Sequence, residues 1–79
     1  PEWVLERAET AELVGATLSS LTEDQRSMLL DKYVEGLSTR EIASRRSATE
    51  KATESSLARA RLAFARVFEL LARKRGGVQ

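Results

Sequence analysis

Apolar residues along this chain recur at helical spacing, and polar caps and glycines cut them into successive stretches. Trp3, Val4 and Leu5 give residues 1–8 an apolar anchor without a clear period, which predicts a weak helical segment. Thr10 is placed to cap a helix running to about Ser20. Its positions Leu13, Val14, Thr17 and Leu18, followed by Leu21, fall on one face. Gly15 within that helix either weakens it or allows the close approach of a neighbour. Thr22 with Gln25 makes a T-x-x-Q capping box, and Glu23 and Asp24 suit the positive end of the helix it opens. Met28, Leu29, Leu30, Tyr33 and Val34 then read as a broad apolar stripe for the core. Gly36 stops that helix in a left-handed conformation, and Leu37 docks back.

Ser38 and Glu41 form a second capping box, S-x-x-E. The helix it opens is short, with Ile42 and Ala43 as its core candidates; Ala43 is small enough for another helix to cross closely. Arg45, Arg46 and Ser47 end it, and Thr49 is the best cap for the next helix, with Ser47 and Glu50 as a competing box. This last helix runs from about Glu50 to Lys74, with fraying expected from Gly76 to Gln79. At about 100° per residue, Leu57, Ala60, Phe64, Val67, Phe68 and Leu71 share its apolar face. Lys51, Ala52, Ser55, Arg59, Arg66 and Arg73 point away from it. The pattern predicts an all-α domain, a small bundle of about four helices containing a helix-turn-helix with a long C-terminal recognition helix.

With 79 residues the chain makes one domain, 1–79, and its core must be compact. Its start at Pro1 rather than Met reads as a piece of a longer protein. The absence of Cys excludes disulfides and makes a reducing, cytoplasmic setting the simpler expectation. The absence of His removes the commonest general base and metal ligand. The hydroxyl residues lie at caps and outward faces with no base to activate them, and the carboxylates cluster at helix starts, where the helix dipole accounts for them. No phosphate-binding glycine loop and no calcium-loop spacing occurs. The expectation is therefore no enzyme, no catalytic residue, no metal and no cofactor. No apolar run is long enough to span a membrane.

Charge changes the picture more. Residues 1–37 carry three cations against eight anions, a net −5, and residues 38–79 carry ten cations against four anions, a net +6. A basic half on a nearly neutral chain suits an anionic partner, although an Arg-rich helix surface facing only water has the same composition. Charge alone does not separate the two; the residues on the recognition element, taken together, favour DNA. A helix in the DNA major groove needs short polar or basic side chains near its N-terminus. Lys51, Ala52, Ser55, Ser56 and Arg59 are there. Thr39, Arg40, Arg45 and Arg46 flank the shorter helix, where backbone phosphates would lie.

The stretch Leu21–Arg61 resembles region 4 of the bacterial sigma-70 family of RNA polymerase sigma factors, especially the extracytoplasmic-function type. That family reads L-P-x-x-x-R-x-V-L-L-L-x-Y-x-E-G-L-S-x-x-E-I-A, a turn, then S-x-G-T-V-K-S-R-L-x-R-A-R. This chain supplies Leu21, Arg26, Leu29, Leu30, Tyr33, Glu35, Gly36, Leu37, Ser38, Glu41, Ile42 and Ala43 without a gap. Ser55, Leu57, Arg59, Ala60 and Arg61 continue the match. Arg46, Ser47 and Ala48 stand where the family has an apolar residue, Gly and an apolar residue. Lys51, Ala52, Thr53 and Glu54 stand where it has Gly, Thr, Val and Lys.

The resemblance implies a promoter-recognition domain that reads the upstream (−35) element of double-stranded promoter DNA. It also implies docking on the RNA polymerase core through an apolar surface, with an anti-sigma protein as a further partner and no membrane. Two other readings remain open. One is a sigma-like interaction module that has lost base reading and uses Leu62 and the long helix. The other is a response-regulator output domain, which shares an E-G-L-S-x-x-E-I-A segment.

Overall fold

The computed structural model describes residues 2–76. Four helices follow one another: α1 (Glu2–Ser19), α2 (Glu23–Tyr33), α3 (Thr39–Arg45) and α4 (Glu50–Gly76). Pro1 and residues 77–79, which include most of the segment expected to fray, lie outside the described part; Gly76 itself closes α4.

The caps form as their sequences predict. The Thr22 hydroxyl accepts from the Gln25 backbone N–H at 3.1 Å, while the Thr22 N–H donates to the Gln25 side chain at 3.2 Å. Ser38 and Glu41 exchange the same pair of bonds at 3.0 and 2.8 Å. Donation from the Ser38 backbone N–H, then from its side chain, holds the Glu41 carboxyl below its ordinary value. The α3 cap is therefore complete above the unfolded-state value for Glu, and weakens as pH falls through the lowered one. Thr49 caps α4, its hydroxyl accepting from the Ala52 N–H at 3.0 Å, so the competing Ser47–Glu50 box is not used. Gly36 ends α2 at φ +74° and Leu37 N–H donates back to Asp31 C=O at 3.0 Å.

Two small clusters make the core. Leu21, Leu29 and Ala60 are packed against Leu18, Ala63, Phe64 and Val67, joining α1, α2 and α4. Met28, Ile42 and Leu57 meet with Leu37 beside them, joining α2, α3 and α4. Ala43 is buried as well, in keeping with its small side chain. Arg26 ties the start of α2 to the end of α1, donating to the C=O of Leu18 at 2.9 Å and of Leu21 at 3.3 Å. Carbonyls at a helix end lack their usual intrahelical donors; that of Leu18 accepts from the Leu21 N–H at 3.2 Å as well as from Arg26. The family arginine at this position is therefore a capping group here.

Two expectations fail, and one of the two readings of Gly15 drops out. The two N-terminal segments are one uninterrupted helix, so Thr10 lies inside α1 and caps nothing. Gly15 admits no close neighbour: a Cβ built there meets nothing within 4 Å. Tyr33 and Val34 are not core residues; they are 59% and 70% exposed. With Leu30 they line an apolar groove completed by Val14, Leu18 and Phe64. At the groove's edge Arg61 donates to the Tyr33 hydroxyl at 3.2 Å.

The departures from the family pattern have a local cost. Ser47 takes φ +53° in the turn between α3 and α4, the left-handed conformation for which the family supplies Gly. That conformation costs a side-chain-bearing residue about 1–2 kcal/mol, against about 0.5–1 kcal/mol for the extra freedom Gly loses on folding. Ser47→Gly should therefore raise the unfolding free energy by about 0.5 kcal/mol, read as a higher urea midpoint at unchanged slope. Thr53 occupies the family's Val position, is buried, and its hydroxyl has no hydrogen-bond partner. Thr53→Val keeps the shape and removes the unsatisfied group, so it should stabilise by about 1 kcal/mol in the same assay.

Candidate nucleic-acid interface

The bend from Arg46 to Thr49 separates α3 from α4. Its geometry comes from four backbone bonds: Arg46 N–H to Ile42 C=O at 3.1 Å and to Ala43 C=O at 3.2 Å, Ser47 N–H to Ser44 C=O at 3.2 Å, and Ala48 N–H to Ala43 C=O at 2.9 Å. Ile42 and Leu57, both fully buried, then fix α3 against α4. The first turns of α4 turn Thr53 and Leu57 inward, which leaves Lys51, Ala52, Ser55 and Arg59 exposed on the other side. Ser56 is half-buried at the edge of that face, and Arg59 donates to its hydroxyl at 3.4 Å.

Around this face lie the α3 residues. Thr39, at the start of α3, is half-buried, and Arg40 and Arg45 are exposed. Arg40 stands 3.5 Å from the Glu50 carboxylate, an exposed ion pair that links the two helices at the rim. Pairs of this kind contribute little and are easily exchanged for another anion. Arg46 is placed differently from the other cations. Its side chain is only 23% exposed, its guanidinium pairs with Asp24 at the start of α2, and its Nε is buried without a partner. Arg46 thus braces the turn against α2, while Arg40, Lys51 and Arg59 are exposed on α3 and α4; Arg45, also exposed, lines a groove with Glu23, Asp31 and Glu35 of α2. Glu54 is also exposed on α4, one position from Ser55.

Sequence reasoning misses two parts of this arrangement. By sequence Asp24 answers only the dipole of its own helix, and the fold brings it to Arg46 across 22 residues of chain. Glu50 likewise reads as a helix-start carboxylate, and only the crossing of α3 and α4 sets it against Arg40. Among the described residues no cluster of acidic side chains could hold a metal ion, and no helix is long and apolar enough to cross a membrane.

Comparison with known proteins gives one finding. The family described as "Sigma-70, region 4" matches residues 11–64, which takes in α2, α3, the bend and the first half of α4. No curated protein and no solved structure matches the chain. In sigma factors, region 4 is a DNA-binding regulatory domain, not a catalytic one, and it recognises the −35 promoter element. The match covers well over half of the 79 residues, and the chain belongs to the sigma-70 region 4 family.

Proposed function

We propose that this chain reads the upstream (−35) element of promoter DNA through the first turns of α4, and docks on the RNA polymerase core through its apolar groove. The observation that carries the first part is the outward face of Lys51, Ser55 and Arg59 on a helix whose other side, with Thr53 and Leu57, is packed in the core after the bend at Arg46–Thr49. An α-helix enters the major groove by its N-terminal turns, and the neighbouring cations then meet phosphates. Arg40, beside the start of α4, is positioned for that second task, and the Arg40–Glu50 pair gives way to a phosphate at little cost. The groove of Leu18, Leu30, Tyr33, Val34 and Phe64 supports the second part, because it is almost wholly apolar and is lined by none of the recognition residues. An anti-sigma protein would compete for such a groove. The domain performs no chemistry; it positions.

The test is binding of the chain to a labelled promoter duplex across a salt series. Neutralising one phosphate on duplex DNA contributes about −0.9 to the slope of log affinity against log salt. Three contacts, from Arg40, Lys51 and Arg59, give an expected slope of about −2.7. A flat or absent response would favour the second reading, a sigma-like interaction module. Two observations keep that reading alive: Glu50 occupies Arg40, and Glu54 adds an anion beside the recognition face.

A further inference from the structure

The outward cations of α4 continue past its first turns. At about 100° per residue, Lys51, Ser55, Arg59, Arg66 and Arg73 fall within one arc of about 80°, and all five are exposed. The other three helices meet α4 on its far side, through Leu57, Ala60, Phe64 and Val67. No part of the domain therefore stands in front of the outward arc.

Within that arc Arg66 is in an unusual position. It lies two residues beyond the stretch that matches the family, residues 11–64. Its neighbours one turn away on either side are Leu62 and Leu70, both exposed. The carboxylate closest to it along the helix, Glu69, is engaged by Arg73 at 3.2 Å. Arg66 itself forms no ion pair among the described residues. An exposed guanidinium without an acceptor thus continues the line of Lys51, Ser55 and Arg59.

The spacing along the helix gives this line a length to compare with DNA. From Lys51 to Arg59 the helix rises about 12 Å, which matches the width of the major groove, about 12 Å. With those turns in the groove, Arg66 stands about 10 Å further along, outside the base edges and beside the strand that walls the groove. Arg73 is another 10 Å or so beyond it. There a straight rod has parted from the duplex, and the Glu69 carboxylate holds the guanidinium.

We propose that Arg66 is a phosphate-binding residue that carries the DNA contact of α4 past its recognition turns and onto the flanking strand. This rests on the reading of Lys51, Ser55 and Arg59 given above. A guanidinium pairs with two phosphate oxygens at once, and this one gives up no internal partner to do so. Beyond the groove it meets no base edge, so it adds affinity and fixes the seat of the helix without reading sequence. Arg73, on the same arc but already paired, marks where the contact ends.

Binding to promoter duplexes across a salt series tests this. With Arg66 as a fourth contact the parent should show a slope of about −3.6 rather than about −2.7. Arg66→Ala should return the slope to about −2.7 and weaken binding on the order of threefold to tenfold at low salt. All duplexes should be weakened alike, with the ranking of promoter variants unchanged. Arg66→Lys, which keeps the charge, should keep most of the slope, and Arg73→Ala should change neither slope nor affinity. Trimming the duplex at the edge of the element, from each end in turn, should in one of the two cases abolish the difference between Arg66→Ala and the parent. An Arg66→Ala variant with the parent's affinity and slope overturns the proposal. So does one that relaxes the preference at a single base pair, a difference that persists on both trimmed duplexes, or an equal loss from Arg73→Ala, which would mark a general effect of net charge. If Lys51→Ala and Arg59→Ala weaken binding while Arg66→Ala does not, the extension alone falls. If the parent binds no duplex, the reading of α4 falls with it.

Discussion

Leu57→Ala should unfold the domain at moderate temperature, with a loss of about 2–5 kcal/mol. Leu57 is 2% exposed and is the α4 member of the cluster with Met28 and Ile42. That cluster is the one place where α2, α3 and α4 meet, so the cavity cannot be closed by moving a single helix without separating the others. A domain of this size has a total stability of about 4–12 kcal/mol, and the substitution removes a large share of it. Calorimetry should show a melting temperature lower by about 10 °C or more. Leu62→Ala is the matched control, because Leu62 is 52% exposed on the opposite side of the same helix. It should change stability by less than about 0.5 kcal/mol. Equal effects at the two sites would mean that α4 does not pack as described.

Arg59→Ala and Lys51→Ala should each weaken promoter binding by about tenfold to a hundredfold, with circular dichroism unchanged. Both side chains are exposed, and neither pairs with a carboxylate among the described residues. Their loss therefore breaks no ion pair, and internally only the exposed 3.4 Å bond from Arg59 to Ser56. The pattern across sequences separates their two possible roles. Loss of a base contact relaxes the preference at one position of the element, whereas loss of a phosphate contact weakens all duplexes alike and lowers the salt slope by about 1. If both variants bind the promoter duplex as tightly as the parent, α4 does not carry the reading. Arg46→Ala should act by another route: it frees Asp24 and loosens the turn, so its effect should appear in stability before it appears in affinity.

Most of the fold is legible in the sequence because its signals are local. Thr22–Gln25, Ser38–Glu41, Gly36 and Thr49 each fix one helix boundary through atoms no more than a few residues apart. The core of α4 follows from its period. The features that escape depend on partners distant in sequence. The apolar positions of α2, from Met28 to Val34, spread over about 240° of the helix. That is more than packing on one side can bury. The arc itself is the sign that Leu30, Tyr33 and Val34 face a different surface from Met28 and Leu29. In α1 the weak period before Thr10 suggests a break and a cap; the helix continues because nothing in residues 2–12 opposes it. In the recognition region, residue types identify the outward face of α4, but not that Arg46 turns inward. Its direction is set by Asp24, which no spacing rule connects to it.

The length of α4 has a mechanical consequence. Its 27 residues form one unbroken rod of about 40 Å, anchored to the core near its middle. Tilting such a rod by about 10° at its DNA-facing turns displaces the opposite tip by roughly 4 Å. How the first turns seat in a groove is thereby converted, without any hinge, into the position of whatever is held at the far end. The helix acts as a lever whose fulcrum is the buried residues around Ala60.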